Sequence, residues 1–319
     1  MRIKIIYFTD KGKALSERVK AGLSDHDAVI VPKGAPLGIV CGDAFVDNEA
    51  LVFVGAAGIA VRAIAPLVRD KLKDPPVIVI DENGGFVIPL LSGHVGGANS
   101  LSLEIADIIE AQPVITTATD VSGSFSVDVF AKENELKILN REGIAKVSSS
   151  ALEGKPVTIC IKDYPPEEPV DVLITNEEAA KVLKDSAKIV LCPKRYAIGI
   201  GCRRGKSYEA LRAFAEEVLD DNGIDINDAG CIVTIDVKKD EEGLKRLSQA
   251  WRMPLITFES GLLAKAKGDF SHSDTVLEKV GVDNVCERAA VLAAGKDSQI
   301  RVKKTARDGM TIAVAERKI

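Results

Sequence analysis

The chain has 319 residues, of which 46% are hydrophobic, and its formal net charge at pH 7 is −5. A chain of this length can bury sizeable cores and divides into two or three domains of ordinary size. The acidic balance excludes a general nucleic-acid or anionic-membrane surface, because such a surface needs a basic face. An anionic partner must therefore be bound by local clusters of basic side chains.

The first apolar run is of strand length and ends in charged residues, so it does not continue into a signal-peptide core or a membrane span. We expect a cytoplasmic protein that binds neither nucleic acid nor membrane. The six cysteines are scattered, with no CxxC pair and no histidine at metal-ligand spacing. This pattern predicts reduced thiols and no protein-bound metal. It excludes a zinc ribbon and a disulfide framework, though not one reactive cysteine.

The amino-terminal part alternates short β-branched runs with helix-length segments. The runs are IKIIYF, AVIVP, LVFVGA, PVIVID, FVIPLL and PVITTA, all before residue 120. This alternation predicts an α/β fold: several small α/β domains with mostly parallel sheets and glycine-rich strand-to-helix loops. We assign residues 1–128 to the first domain. Its last helix is predicted to be capped by Asn99 or Ser100, with an apolar face at Leu101, Ile105, Ile108 and Ile109.

The remaining chain is divided into a small middle region, residues 129–194, and a carboxy-terminal α/β domain, residues 195–319. In the middle region, KDYPPEEPVDV predicts a loop, and EEAAKVLKDSAKIVLCP predicts a helix followed by a strand. In the last domain a strand leads through glycines to a helix that Ser207 caps, with its apolar face at Leu211, Phe214, Ala215, Val218 and Leu219. The last helix is predicted to begin at Asn284, with Glu287 completing a capping box, and to end before Gly295.

The segment GIGCRRGKS fails two nucleotide-binding fingerprints. A phosphate loop needs glycine where Ile200 stands, and the dinucleotide fingerprint needs glycine where Arg204 stands. What remains is a glycine-bracketed turn that places Arg203, Arg204 and Lys206 near a helix N-terminus, which is a candidate carboxylate clamp. The alternative is a tight turn with solvated basic side chains.

A second glycine-containing junction is GAAGIAVRAIAPLVRDK, which follows the strand LVFV. Gly55 and Gly58 would let a ligand approach backbone amides, while Arg62, Arg69 and Lys71 supply positive charge. These features predict an anion-binding site. The alternative is that the small residues allow close packing of a helix on a sheet.

The third junction, PLLSGHVGGAN, places His94 among glycines. Gly93, Gly96 and Gly97 are expected to leave backbone amides unshielded ahead of a helix N-terminus, with Asn99 beside them in the substrate-binding set. An imidazole next to bare amides can act as a general acid or base beside an oxyanion site. The alternative is a histidine that hydrogen-bonds to nearby backbone.

Two further residues are catalytic candidates, Ser92 in the same loop and Glu82 in the segment DENGG. A serine triad is not supported, because the elbow motif GxSxG needs glycines where Leu90 and His94 stand. Glu82, with Asp81 beside it, is a weaker substitute for His94 as the base, because DENGG typically forms a turn. Of the other histidines, His272 is a weak second candidate.

Two groups of motifs resemble the CbiG family of anaerobic cobalamin biosynthesis. The block VGAAGIAVRAIAPLVRDKLKDPPVIVIDENGGFVIPLLSGHVGGAN, followed by PVITTATD, resembles its amino-terminal region. The segments AIGIGCRRGKS, DVKKDEEGL and VGVDNVCERAAVLAAG resemble its carboxy-terminal region, which is related to the CobE protein of the aerobic pathway. The middle region matches only in position and length.

The resemblance implies a cobalt-precorrin-5A hydrolase, which opens a δ-lactone on a cobalt-containing tetrapyrrole and releases acetaldehyde during ring contraction. It implies an anionic cobalt-tetrapyrrole as partner, no cofactor beyond the cobalt that the substrate carries, and transient contact with neighbouring pathway enzymes. The basic clusters would bind the substrate carboxylates, and His94 as general base is our inference from the residues. Two alternatives stay open: a tetrapyrrole carrier without catalysis, and His94 as an axial ligand of the cobalt.

Overall fold

The computed structural model describes residues 1–118 and 122–318, apart from the side chain of Thr275. The end of the PVITTATD motif therefore lies outside the described residues. The chain forms two compact units, one of Met1–Lys132 with Arg141–Thr158 and the other of Glu133–Asn140 with Ile159–Ile319. The predicted domain bounds, 1–128, 129–194 and 195–319, stay a prediction.

The first unit is built on a six-stranded sheet with the order β2-β1-β3-β4-β5-β6. Its strands are β1 (Arg2–Tyr7), β2 (Asp27–Ile30), β3 (Ala50–Val54), β4 (Val77–Ile80), β5 (Phe86–Leu91) and β6 (Gln112–Pro113). Its helices are α1 (Asp10–Gly22), α2 (Leu37–Val46), α3 (Ala57–Ile64), α4 (Ala98–Ile109), α5 (Val127–Glu133) and α6 (Glu142–Leu152). The sheet buries apolar side chains on both faces, as expected for strands of continuous β-branched sequence.

Two strands of this sheet, β5 and β6, run in the opposite direction to β1–β4. β5 runs antiparallel to β4, with Val77 opposite Leu91 and Ile80 opposite Val87, whereas every other pair in the sheet is parallel. The loop after β5 therefore lies at the edge where β4 begins, and the loops after β1, β3 and β4 lie at the other edge. A strand rises about 3.3 Å per residue, so β4 alone separates the two edges by roughly 10 Å.

The helix after β5 begins slightly earlier than predicted. α4 starts at Ala98, and Gly97 precedes it in the left-handed conformation with φ 88°, so the prediction that Asn99 or Ser100 caps the helix is wrong. Asn99 is buried in the first turn, and its Nδ2 donates to Thr117 Oγ1 over 3.2 Å, which directs the side chain away from a capping position. The predicted apolar face is confirmed, since Leu101, Ile105 and Ile109 are buried and Ile108 is partly buried against the same core.

The second unit contains two sheets, a four-stranded one with the order β7-β10-β9-β8 and a five-stranded one with the order β13-β12-β11-β15-β14. The strands are β7 (Leu136–Ile138), β8 (Ile159–Ile161), β9 (Val170–Ile174), β10 (Ala187–Pro193), β11 (Tyr196–Cys202), β12 (Ala229–Ile235), β13 (Leu255–Phe258), β14 (Gln299–Arg307) and β15 (Met310–Glu316). The helices are α7 (Glu177–Leu183), α8 (Tyr208–Asp221), α9 (Glu242–Ala250), α10 (Ser260–Leu263), α11 (Asp274–Val280) and α12 (Cys286–Ala294).

The predicted fold class is confirmed: helices alternate with strands, and the sheets are mostly parallel. The predicted cap of α8 is also confirmed, because Ser207 Oγ accepts from the amide of Ala210 over 3.3 Å. No helix in the described part of the chain is long and apolar enough to cross a membrane.

The last helix differs from its prediction in one respect. Asn284 Oδ1 accepts from the amide of Glu287 over 2.9 Å, as in a capping box, but α12 itself begins at Cys286. The buried carboxylate of Glu287 accepts from the amides of Ser271 and Lys304, each over 2.7 Å. It therefore holds two distant segments together in addition to the start of its own helix.

Candidate active site

The loop after β5, residues 92–97, is closed by its own backbone, and we call it the SGH loop. The amides of Gly97, Ala98 and Asn99 donate to the carbonyls of His94, Ser92 and Gly93 over 3.0, 3.1 and 3.1 Å. The expectation that Gly97 offers an unshielded amide is therefore wrong, because that amide is used inside the loop. Gly93 and Gly96 stay candidates for a contact with substrate.

Glycine is required at two positions because the loop folds tightly on itself. A Cβ atom on Gly96 would lie 2.4 Å from Ser92 Cβ and 2.6 Å from the carbonyl oxygen of Ser92. A Cβ atom on Gly93 would lie 2.6 Å from Asn99 Oδ1. Ser92 itself has a positive φ of 56°, which is costly for a residue with a side chain. The glycines therefore serve packing as well as access.

Ser92 connects the SGH loop to the preceding crossover loop, residues 65–76. Its hydroxyl donates to the backbone carbonyl of Asp74 over 2.6 Å. The Asp74 carboxylate in turn accepts from the amides of Arg69 and Asp70 over 2.9 and 3.0 Å, which fixes the crossover loop. Since the hydroxyl proton of Ser92 is engaged by a carbonyl, this geometry does not support Ser92 as a nucleophile.

His94 lies against the start of α5. Its side chain is 15% exposed, and Nδ1 lies 3.4 Å from Ser126 Oγ and 3.9 Å from Asp128 Oδ1. Asp128 is buried, and its Oδ2 lies 3.9 Å from the ammonium nitrogen of Lys71. The structure thus brings an imidazole, a hydroxyl, a carboxylate and an ammonium group together at one edge of the sheet.

Three residues of this cluster were missed by reasoning from sequence: Ser126, Asp128 and Lys132. Lys132 donates from Nζ to the carbonyl of Val95 in the SGH loop over 2.7 Å. The available signal was the segment SFSVDVF, in which Ser126 precedes a helix and Asp128, two residues on, lies in its first turn. That signal is local and does not say that the two side chains face His94.

The structure does not bring Glu82 or Gly55 to His94. Both follow strands that end at the opposite edge of the sheet, because β5 is reversed. Glu82 accepts a hydrogen bond from Thr9, the residue that caps α1, and Asp81 accepts from the amides of Asn83 and Phe86 as a turn residue does. This position gives no support to Glu82 as a substitute base for His94.

Gly55 hydrogen-bonds to the neighbouring strand and packs closely against a side chain. Its amide donates to the carbonyl of Ile80 over 2.8 Å, and a Cβ atom at its φ of 156° would lie 2.9 Å from the ring of Phe8. The expectation of an exposed Gly55 amide is wrong for this reason. Gly58 is exposed in the first turn of α3, and the guanidinium of Arg62 lies 3.4 Å from its Cβ position. Within the described part of the chain, Arg62 has no ion pair.

The second basic cluster follows β11 in the second unit. Arg203 and Arg204 are exposed, and neither they nor Lys206 form an ion pair with any residue the structure describes. The amide of Gly205, however, donates to Glu241 Oε2 over 2.9 Å, and Lys238 Nζ lies 2.8 Å from Glu241 Oε1. The side chains can therefore bind an anion, whereas the Gly205 amide is already used.

Glu241 is a partly buried acid, and the ammonium group of Lys238 lies beside its carboxylate. Burial raises the pKa of its carboxyl group, but the hydrogen bonds from Lys238 and the Gly205 amide outweigh burial, and the pKa lies below its usual range. The loops after β11 and β12 share an edge because these strands are parallel. Sequence reasoning missed Glu241 and Lys238, although both lie in the DVKKDEEGL segment.

The cysteine thiols are unpaired. Burial is the main cause that raises the pKa of Cys192 to about 12 and those of Cys231 and Cys286 to about 11. These three groups are protonated near neutral pH and are therefore weak nucleophiles. Among residues 1–118 and 122–318 there is no group of three or more His, Cys, Asp or Glu side chains that could hold a metal ion.

Comparison with known proteins places both units in one family. The family Cobalamin synthesis G N-terminal matches residues 40–120, and Cobalamin synthesis G C-terminus matches residues 196–315. Two relatives are 35% and 32% identical to this chain and cover 85% and 97% of it. The chain belongs to the cobalamin synthesis G family.

Both relatives carry the name Cobalt-precorrin-5A hydrolase. The protein from Priestia megaterium aligns over 300 residues and 79% of its own length, and the protein from Salmonella typhimurium aligns over 339 residues and 96% of its length. A third relative, Protein CobE from Sinorhizobium sp, is 27% identical over 142 residues, which cover 44% of this chain and 88% of that protein. The predicted likeness to CbiG, and to CobE for part of the chain, is confirmed.

Proposed function

We propose that this chain is a cobalt-precorrin-5A hydrolase. The observation that carries the proposal is its identity of 32% to a relative of that name along 97% of the chain. The cluster around His94 supports a chemical role, because it combines a histidine with a buried carboxylate beside a closed backbone loop. A carrier protein would not need that combination.

The reaction begins with attack of water on the lactone carbonyl. His94 accepts a proton from the water, and the amides of Gly93 and Gly96 are candidates to donate to the oxyanion that develops. Collapse of the tetrahedral intermediate breaks the carbon–oxygen bond of the ester and leaves a carboxylate and a hydroxyl group. The protonated imidazole can return its proton to the leaving oxygen.

The second step removes the two-carbon fragment. Loss of the proton from the freed hydroxyl group forms a carbon–oxygen double bond, the adjacent carbon–carbon bond breaks, and acetaldehyde leaves. The electron pair of the broken bond passes into the conjugated macrocycle, whose bound cobalt is part of the substrate. The protein therefore has to orient the lactone and move protons, and we propose that it needs no cofactor of its own.

Substrate binding is assigned to the basic side chains. The substrate carries several carboxylates, and an acidic protein must meet them with concentrated positive charge. In the first unit Arg62, Arg69 and Lys71 are candidates, of which Lys71 contacts the His94 cluster through Asp128. In the second unit the candidates are Arg203, Arg204 and Lys206. A cytoplasmic location and transient contact with neighbouring pathway enzymes stay predictions.

The test is anaerobic incubation of the purified chain with the cobalt-bound lactone, followed by trapping of acetaldehyde with a carbonyl reagent. We expect acetaldehyde in proportion to substrate consumed, without added metal, ATP, flavin or NADH. Tight binding of the lactone without acetaldehyde would overturn the hydrolase and favour the carrier. A strict requirement for ATP or NADH would overturn the mechanism.

A further inference from the structure

Two side chains at the start of α5 form a hydrogen-bonded chain that ends on His94. The hydroxyl of Ser126 donates to Asp128 Oδ1, and the same oxygen atom of Ser126 lies 3.4 Å from His94 Nδ1. The Asp128 oxygen also accepts from the amide of Val129 over 3.1 Å. The carboxylate is thus fixed from two sides and aimed at the serine.

We propose that Ser126 and Asp128 are positioning residues that hold His94 in the tautomer with its proton on Nδ1. The consequence for catalysis rests on the hydrolase function proposed above. In this tautomer Nε2 carries the ring's lone pair and is the nitrogen that takes a proton from water. The serine acts through the imidazole and does not touch the substrate.

The number of available protons decides which group donates and which accepts in each of these hydrogen bonds. A serine hydroxyl has one proton, and an ionised carboxylate can only accept. Since the Ser126 proton goes to Asp128, the Ser126 oxygen can only accept from His94, and the proton must lie on Nδ1. The ammonium nitrogen of Lys71 lies 3.9 Å from Asp128 Oδ2, so the carboxylate has a positive charge beside it.

The rest of α5 holds this arrangement against the SGH loop. The amide of Phe130 donates to the carbonyl of Ser126 over 3.0 Å, which starts the helix at the serine. At the other end of α5, Lys132 donates to the carbonyl of Val95, next to His94. Both ends of the helix therefore fix the loop that carries the imidazole, so the distance from Ser126 to His94 is set by more than one contact.

The tautomer can be measured in the free protein. With nitrogen-15 labelled histidine, proton–nitrogen correlation spectra at alkaline pH, where imidazoles are neutral, show which ring nitrogen carries the proton. The chain has only three histidines, so the His94→Gln variant identifies the signals of His94. We expect the proton on Nδ1 in the unmodified chain. A proton resident on Nε2 overturns the proposal.

Three variants test the part played by the hydroxyl group. Ser126→Ala should give a mixture of both tautomers, and Ser126→Thr, which keeps the hydroxyl, should restore the Nδ1 form. Ser124→Ala is the matched control, because Ser124 lies in the same segment and its hydroxyl meets Ser122 instead of His94. Spectra of Ser126→Ala that match those of the unmodified chain would overturn the proposal.

Turnover gives an independent readout. Loss of an orienting group that fixes a tautomer can cost up to about 10⁴-fold, and since Ser126 is a neutral partner at a longer distance we expect a roughly ten- to hundredfold fall in kcat with little change in KM. The threonine variant should recover most of it. If the unmodified chain releases no acetaldehyde, the hydrolase proposal fails while the spectra still decide the tautomer. If acetaldehyde is released but the proton lies on Nε2, only the present inference fails.

Discussion

The hydroxyl of Ser92 donates to the backbone carbonyl of Asp74 over 2.6 Å, and this bond joins the loop that carries His94 to a second loop. One is the SGH loop and the other is the crossover loop, which carries Arg69 and Lys71. Both loops lie at the edge of the sheet where β4 begins. The shape of the candidate active site therefore depends on the hydrogen bond between the SGH loop and the crossover loop, and not on the conformation of either loop alone.

Ser92→Ala should weaken the fold more than the chemistry. A lost hydrogen bond of this kind costs about 1 kcal/mol of unfolding free energy, and we expect turnover to stay within about tenfold of the unmodified chain because the proton-transfer group remains. Urea unfolding and acetaldehyde release measure the two effects, with the exposed Ser24→Ala as control. If Ser92→Ala leaves the unfolding free energy unchanged but reduces turnover as much as His94→Asn does, the hydroxyl of Ser92 takes part in the reaction.

His94→Asn should reduce acetaldehyde release by roughly a hundredfold or more, the usual scale for loss of a general acid or base. Asparagine can form hydrogen bonds but cannot accept the proton from water. Folding and substrate affinity should change little, since asparagine is a smaller polar side chain that still forms hydrogen bonds at this position. His272→Asn, on a side chain that is 57% exposed in the other unit, is the control. A shift in the cobalt absorption spectrum together with lost binding would instead indicate an axial ligand.

Gly96→Ala should damage the SGH loop directly. The new Cβ atom would overlap the backbone oxygen of Ser92, which cannot move without opening the loop. We expect a loss of about 1–3 kcal/mol in unfolding free energy and a fall in kcat, as for other changes that strain a functional loop. Gly38→Ala, in α2 with nothing within 4 Å of the new atom, is the matched control and should be neutral or stabilising. Equal stability of the two variants would contradict the assigned packing.

Arg203→Ala and Arg204→Ala should raise KM with little effect on kcat, because exposed cations that bind substrate carboxylates contribute equally to the ground and transition states. The loss should shrink at high ionic strength, since salt screens the pairs in the unmodified chain as well. Arg301→Ala, on an exposed arginine of β14, is the control. If substrate titrations of both variants match those of the control at every salt concentration, the two arginines are solvent-exposed side chains that do not bind the substrate.

Glu241→Gln should weaken the fold in a pH-dependent way. The pKa of Glu241 in the folded protein lies below its usual range, because Lys238 and the Gly205 amide outweigh the opposing effect of burial. A depressed folded pKa gives stability that is present above the unfolded pKa of about 4.3 and is lost as the pH falls through the folded value. The difference in unfolding free energy between the variant and the unmodified chain should therefore be largest near neutral pH and shrink in acid. A difference that stays constant from neutral to acid pH would contradict the assignment.

The sequence by itself determined the features that depend on near neighbours. The alternation of β-branched runs and helix-length segments predicted the α/β fold, and Ser207 predicted the start of α8, because capping and periodicity act within a few residues. The glycines around His94 correctly predicted a loop between a strand and a helix. The resemblance of its motifs also predicted the family, because recognising such motifs requires only the order of residues in the sequence.

The tertiary structure decided which of these features meet. An apolar run has the same pattern in a parallel and in an antiparallel strand, so the sequence could not show that β5 is antiparallel to β4. That reversal places Glu82 at the opposite edge of the sheet from His94. Likewise, nothing in the sequence around Asp128 indicated that its carboxylate lies near the imidazole, and only the fold brings the two together. Contacts between residues far apart in the chain depend on how whole strands and helices pack, and that packing is not encoded in any short stretch of sequence.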